Sequence, residues 1–336
     1  MKYLYVLTSN ENDYYLEQAF LSMTSLRMHM PSAFISLLLD NNTETSLAGK
    51  RKNIIDLVNE FKSIKIDEKF TQKARSRWLK TSMRQNIEGD FLYIDGDTII
   101  AEDLSSVENI NIDVGAVLDS HLNLIERGKY SPARLKSIKA LAPKLGINQA
   151  FDLDVYFNGG IMFCRDNKVG HDFFNEWHRL WLKCFELGGV NDQPSLNLSN
   201  FILGSVIKEL DGTWNCQVLD DGGIRYLYNA KIIHYMSSRP GEKPYIPAND
   251  NFISCIKENG AINENIIESI RKPKTLFSPN TRLLLLEKSS QSFYHSAFFG
   301  VAKKIFNTKI GSIIEFVLSK IRSKLYIPFR KIFSKR

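Results

Sequence analysis

Apolar runs that stop at polar residues alternate with stretches of helical periodicity through the first hundred residues. That alternation constrains the fold more than any single motif does. "KYLYVLTSN", "AFISLLLDN", "SIKIDE" and "DFLYIDGD" read as strands. Between them, "DYYLEQAFLSMTSLRMHM", "NIIDLVNEF" and "ARSRWLKTSMRQNI" read as helices, the first with Leu16, Ala19, Phe20, Met23 and Leu26 at helical spacing. Alternating strands and helices predict βαβ units, hence an α/β chain with a Rossmann-like, mostly parallel central sheet flanked by helices. Ligands of such sheets bind beyond the carboxyl ends of the strands. Asn10, Asp40, Asp95 and Asp97 all stand at those ends.

The segment "GDFLYIDGDTII" (89–100) carries the sharpest chemical signal. Phe91 to Ile94 run into two carboxylates, Asp95 and Asp97, separated by Gly96. Burying an unpaired carboxylate is costly. Two aspartates spaced by two on extended backbone point the same way, and hard oxygen ligands at a strand exit suit Mg²⁺ or Mn²⁺. The glycine is expected to let the chain turn sharply and a ligand approach closely. Far downstream, His234 ends the strand-like "AKIIHYM" and precedes the Pro/Gly/Lys-containing "RPGEKPY". An imidazole with two carboxylates makes a three-ligand set with room for substrate oxygens. An isolated D-G-D is otherwise a solvated turn, and a lone histidine a packed one; the constellation, not either piece, carries the reading.

The second half continues with the strand-like "VGAVLDS", a helical region through Lys144, the strand region "DLDVYFNGGIMFCRDN" and the helix "HDFFNEWHRLWLKCFEL". Three short strand candidates follow: "GSVIKEL", "IRYLYN" and "AKIIHYM". The N-terminus lacks a basic segment followed by a long apolar one, so it predicts a first strand and not a signal peptide. No run of about 18 apolar residues is present, which excludes a bilayer-spanning helix. Cys164, Cys184, Cys216 and Cys255 have no metal-ligand spacing and read as free thiols of a reducing compartment.

Charge is distributed unevenly. Residues 271–336 hold 15 Lys and Arg against 2 Asp and Glu, net +13, which leaves the rest of the chain at −6. Near its end Phe298, Ala302, Ile305, Ile313, Phe316, Val317, Ile321 and Leu325 recur near helical spacing among Lys303, Lys304, Lys309, Lys320, Arg322 and Lys324. A basic amphipathic helical tail of this kind suits an anionic membrane surface. No nucleic-acid reading module accompanies it, and the body is acidic, so nucleic acid is not the expected partner.

Five segments, in order, resemble the nucleotide-sugar glycosyltransferases of the GT-A fold, and among them the retaining glycosyltransferase family eight: "YVLTSN", "FLYIDGDTII", "VGAVLDS", "YFNGGIMFCRDN" with "NDQPSLN", and "KIIHYMSSRPGEKPY". The resemblance spans roughly residues 1–250, taken as a catalytic domain, with 251–336 as the basic helical region. It implies that Thr8, Asn10 and an aromatic at Tyr14 or Tyr15 hold the uridine. Asp95, Asp97 and His234 would bind Mn²⁺ (or Mg²⁺) and through it the diphosphate, with Asp95 also touching the ribose or sugar. Asn158, Gly159 and Gly160 would line the donor sugar. Asp192 would contact a sugar hydroxyl, Gln193 would lie near the reacting carbon and Lys243 would reach the diphosphate. Arg77 is the candidate donor-binding arginine, with Arg75 and Arg84 as competitors. Two departures from the family pattern stand out: the loop after His234 lacks the usual glycine, so that Lys243 arrives late, and F-N-A-G is F-N-G-G. The implied activity is transfer of a hexose from a UDP-sugar to a surface glycan or lipid-linked oligosaccharide, with retention, at the cytoplasmic side of a membrane.

Two rival readings are weaker. "YIDGDTI" echoes a phosphatase motif, but no glycine–threonine pair directly follows Asp97, and the segment follows about three strands where that motif belongs to the first. A non-catalytic sugar-nucleotide- or membrane-binding protein would keep the fold and lose the chemistry; the intact Asp95, Asp97, His234 and "NDQ" argue against it.

Overall fold

The computed structural model describes residues 1–123, 132–147, 153, 155–220, 222–236, 243–279, 281, 297–306, 308–314, 316–318 and 320. The chain divides into two compact units, one of residues 1–124 with 137–281, the other of 125–136 with 282–336. The first is built from β1 (Lys2–Leu7), α1 (Tyr15–His29), β2 (Phe34–Asp40), α2 (Asn41–Thr45), β3 (Glu60–Ile64), α3 (Gln72–Thr81), α4 (Met83–Asn86), β4 (Phe91–Ile94), β5 (Thr98–Ile100) and β6 (Val114–Leu118). After α5 (Pro132–Leu141) come β7 (Phe157–Cys164), α6 (Lys168–Glu186), α7 (Gln193–Ile202), β8 (Ile207–Glu209), β9 (Cys216–Gln217), β10 (Ile232–His234), α8 (Asp250–Asn259) and α9 (Glu264–Ile270).

Seven strands form the main sheet in the order β3-β2-β1-β4-β7-β6-β8. Four of its pairings are parallel, while β7 runs antiparallel to both neighbours, β4 and β6. The expected mostly parallel sheet is therefore present. The reversed β7 decides where the site forms, because it lays its amino-terminal end beside the carboxyl end of β4, with Ile94 opposite Ile161. A second sheet, β5-β10-β9, sets His234 opposite Thr98 in an antiparallel register.

Side-chain alternation along β4 explains its four consecutive buried residues. Leu92 and Ile94 join one core cluster with Tyr5, Leu37 and Phe163, and Phe91 and Tyr93 join the other with Phe173, Trp177 and Leu196. A strand covered on both faces needs apolar residues at every position, and each such full burial contributes roughly 1.5–3 kcal/mol. Local caps fix the helix starts: Thr71 accepts from Ala74 N at α3, and Asn167 from Gly170 N at α6.

Several elements differ from the sequence reading. "NIIDLVNEF" is no α-helix: residues Gly49–Leu57 form a 3₁₀ stretch, and the strand expected in "SIKIDE" starts earlier, at Glu60. "IRYLYN" is a 3₁₀ turn, Gly223–Asn229, not a strand. Ile224 and Leu227, three apart, turn into the third core cluster while Tyr228 is 87% exposed, a period of three that alternation had mimicked. The helix over "ARSRWLKTSMRQNI" breaks at Ser82. Gly96 lies in the bend between β4 and β5, the turn expected of it, although its φ is not positive; a Cβ there would meet that of Ala19 at 3.4 Å, an ordinary contact with α1. The first unit also continues past residue 250 to Thr281, because Ile253 and Ile256 of α8 and Ile266 and Ile270 of α9 share a core cluster with Ile99, Ile233 and Tyr245.

In the second unit, α10 (Ala297–Phe306) and helical residues among 309–320 carry exposed Phe298, Val301, Ile313, Phe316 and Val317. Ile321, Arg322, Lys324 and Leu325 lie outside the described residues. No helix among the described residues is long and apolar enough to cross a membrane.

Candidate metal and sugar-nucleotide site

Two segments distant in sequence, the exit of β4 and the end of β10, deliver Asp95, Asp97 and His234 to one place, with one ligand atom from each lying within 4.8 Å of the others. Asp95 leaves β4 with its N–H donated to Gly160 O (2.8 Å), and Tyr235 N reaches Asp97 O (3.1 Å). The backbone of both sheets thus fixes the constellation before any ligand arrives.

His234 is oriented by an amide relay. Asn215 Nδ2 donates to Asn158 Oδ1 at 3.0 Å, which turns the Asn215 Oδ1 toward His234 Nδ1 at 2.9 Å. Nδ1 then carries a proton, and Nε2 faces Asp97 Oδ1 at 3.2 Å. Two electron-rich atoms at that spacing need a proton or a metal cation between them. Burial pushes the His234 pKa down, but the Asp97 carboxylate, with Asp95 adding to it, turns the net direction up. The donor set, two carboxylates and an imidazole whose other nitrogen is hydrogen-bonded, fits a divalent cation such as Mn²⁺.

Asn158 is held at both ends of its amide. Its Nδ2 donates to Asp119 Oδ1 at 3.1 Å, and its Oδ1 accepts from Gly160 N at 2.8 Å. Gly160 has a steric reason: a Cβ there would come within 2.5 Å of His234 Cε1. At Gly159 a Cβ would meet Leu196 and Lys80 only at ordinary contact distance, 3.6 Å.

A second ionic group adjoins the first. Asp192 directly precedes α7, its carbonyl accepting from Trp177 Nε1 at 3.1 Å. Arg77 Nε lies 3.0 Å from Asp192 Oδ1, and Lys80 Nζ 3.7 Å from Asp192 Oδ2. Burial alone would push the Asp192 pKa up, but Arg77 and then Lys80 hold it below the usual range. Asp192 in turn raises the Arg77 pKa, with smaller contributions from Asp95 and Asp97. Among the arginine candidates only Arg77 joins this group. Arg75 pairs with Asp40, which also caps α2, and Arg84 binds Gly89 O and Asp166. Gln193 follows Asp192, and its buried Nε2 has no hydrogen-bond partner among the described residues.

At the carboxyl end of β1, Thr8 Oγ1 donates to Gln72 O (3.4 Å), and Asn10 bonds the Gln72 side chain. Asp13 organises the turn, accepting from Ser9 Oγ (2.7 Å), Asn10 N (2.9 Å) and Tyr15 N (3.0 Å). Tyr14 lies under Lys257 Nζ, 5.0 Å from its ring centroid, while Tyr15 is 50% exposed. Lys243 is buried, and its Nζ donates to Ala248 O at 2.9 Å.

Sequence reasoning missed four residues of the site. Asp119 directly follows β6 in "VLDS" and could have been read as another strand-end carboxylate. Lys80 falls one helical turn after Arg77, the only signal it offers. Tyr93 donates to Asp95 from two positions earlier on the strand and had looked like plain core. Asn215 offers no sequence signal, since its place depends on β9 pairing with β10.

The family model described as Glycosyl transferase family 8 matches residues 6–244. A solved structure of an active-site mutant of LgtC is similar at 14% identity and TM-score 0.51, covering 81% of this chain and 100% of that one. The galactosyltransferase LgtC in complex with donor and acceptor sugar analogs gives 14% and 0.48, covering 80% and 99%. Mouse xyloside xylosyltransferase 1, apo form, gives 15% and 0.44, covering 72% and 100%. At these identities the likeness concerns the fold. No curated protein matches closely enough to count as a relative.

Proposed function

This chain belongs to glycosyl transferase family 8 and is a glycosyltransferase, and on that premise we propose that it moves a hexose from a UDP-sugar to a glycan hydroxyl, with retention of anomeric configuration and with a divalent cation at Asp95, Asp97 and His234. The observation that carries the reading is the convergence of those three ligands from β4, the loop after it and β10. The bond between the anomeric carbon and the diphosphate oxygen breaks, a bond to the acceptor oxygen forms, and the acceptor proton leaves on the departing phosphate. When bound, the cation supplies Lewis-acid stabilisation of the charge that builds on that oxygen.

The protein's own groups position the donor. Thr8, Asn10 and Tyr14, at the carboxyl end of β1, hold the uridine, and Asn158, Gly159 and Gly160 of β7 line the donor sugar. Asp192, kept ionised by Arg77 and Lys80, accepts from a sugar hydroxyl. Gln193 faces the transferred sugar: a buried amide N–H without a partner costs about 1–3 kcal/mol, and a donor oxygen would satisfy it. Lys243, whose Nζ donates to Ala248 O, contributes positive charge toward the diphosphate. Attachment to an anionic membrane surface through the basic tail accounts for the exposed Phe298, Phe316 and Val317 beside lysines, and suits a lipopolysaccharide-type or related lipid-linked acceptor at the cytoplasmic face.

A screen of sugar nucleotides for UDP release, with and without Mn²⁺, tests class, donor and metal together. We expect turnover with at least one UDP-sugar and its loss in EDTA. Turnover that EDTA leaves unchanged would remove the metal from this reading.

A further inference from the structure

Asp95 is already engaged before any metal arrives. Its Oδ1 accepts from Tyr93 OH, and Lys80 Nζ lies 3.2 Å from both Oδ1 and Oδ2. Lys80 is 4% exposed. It stands 3.7 Å from Asp192 Oδ2 and 5.1 Å over the Tyr93 ring. This is an ammonium built into the site and held against the same carboxylate that would ligate the cation.

The charges do not match a bare divalent ion. Among the groups in ion-pair contact, Asp95 and Asp192 balance Lys80 and Arg77, and Asp97 and His234 Nε2, 3.2 Å apart, share a proton, so the group carries no excess charge. A divalent cation that takes that proton's place without an anion leaves the group with one excess positive charge, and uncompensated buried charge is strongly disfavoured. A nucleoside diphosphate brings the missing negative charge.

We propose that Lys80 is a resident counter-cation that competes with the divalent cation for Asp95 and makes cation binding depend on the donor's diphosphate. The inference rests on the metal assignment above and adds an order to it: metal and donor bind cooperatively, and Lys80 sets the size of that coupling. Removing the lysine leaves a divalent ion that displaces this proton facing two net negative charges, a match for the ion alone. The opposite role, a strut that holds Asp95 and Asp192 in place for the metal, predicts the opposite sign.

Mn²⁺ titration of the full-length protein, followed by the loss of the free-ion EPR signal with and without UDP, separates these roles. In the wild-type protein UDP should tighten Mn²⁺ binding about tenfold or more, within the usual range of coupling between sites. Lys80→Met should bind Mn²⁺ without UDP about tenfold more tightly than wild type, as loss of a nearby like charge requires, and the effect of UDP should shrink. Lys80→Arg, which keeps the charge, should behave as wild type. A folded Lys80→Met protein with unchanged or weaker Mn²⁺ affinity would overturn the proposal. So would a wild-type protein that binds Mn²⁺ equally well without UDP, a result that needs no variant to fold. Absence of Mn²⁺ binding even with UDP would instead remove the metal assignment itself, and this inference with it.

Discussion

Asp97 is the ligand whose replacement tests the metal site most cleanly, because it faces His234 Nε2 across 3.2 Å while its neighbour Asp95 is shared with Lys80 and Tyr93. Asp97→Asn keeps the shape and removes one formal charge. Activity should fall by about 10²-fold or more, a few kcal/mol of transition-state stabilisation, with an unchanged melting curve. Normal turnover by the purified variant would place the metal elsewhere. Gln193 is tested by a contrast between two measurements. Gln193→Ala should depress kcat far more than it weakens UDP binding, since UDP lacks the sugar that the amide is proposed to face. Equal losses in both would assign the side chain a structural role. At this scale the sequence was informative where chemistry and position coincide. Asp95, Asp97 and His234 announce themselves as charged or imidazole groups at strand ends. Tyr93 and Asn215 did not, because a buried tyrosine reads as core and an asparagine as a turn until its partners are known.

The elements explain how that site is held. Asn158 to Gly160 reach Asp95 only because β7 runs antiparallel to β4, and local pattern does not specify which neighbour a fully apolar strand will choose or in which direction. The 3₁₀ turn at Gly223–Asn229 was missed for a related reason: a short apolar run fits period two and period three equally well. Gly160, by contrast, has a purely steric explanation that makes it a sharp test of the sheet junction. Gly160→Ala would place a methyl 2.5 Å from His234 Cε1 and 2.8 Å from Asn158 Oδ1. The crowding should destabilise the protein by about 1–3 kcal/mol and weaken Mn²⁺ binding, read by melting and by metal titration. A second test concerns the contact between α3 and α6. Thr81 Oγ1 and His178 Nδ1 lie 2.8 Å apart, and burial pushes the His178 pKa down to about 4. The folded protein then holds this proton less readily than the unfolded chain. The stability contributed by neutral His178 is complete above about pH 6.5 and is lost as pH falls toward 4. His121, buried and beside Arg225, shifts the same way, also to about 4. The melting temperature should therefore drop between pH 6.5 and 4, and His178→Gln, which can still bond Thr81, should make the drop shallower. An identical pH profile in the variant would clear His178 of that role.

At the scale of the whole molecule the chain separates its charges. The residues before Arg271 are net −6, while those from Arg271 onward are net +13. Asp95, Asp97 and His234 all lie in the acidic part. If the tail lies on an anionic membrane, its apolar residues and its lysines act together. Each basic residue near such a surface contributes roughly 1 kcal/mol, and exposed side chains such as Phe298 (70%) and Phe316 (63%) add burial in the interface. A chain ending before Phe293 loses both contributions but keeps Asp95, Asp97, Gln193, His234 and the core residues of α8 and α9. It should stay soluble and release UDP at its normal basal rate, yet no longer sediment with anionic vesicles. High salt should weaken sedimentation of the full-length protein only partly, because it screens the lysines and leaves the apolar contribution intact. A truncated chain that aggregates, or melts many degrees lower, would assign Phe298, Ile305 and Phe316 to the protein's own packing. Full-length protein that ignores anionic vesicles at low salt would end the membrane reading, and the acceptor would then have to be sought among soluble glycans.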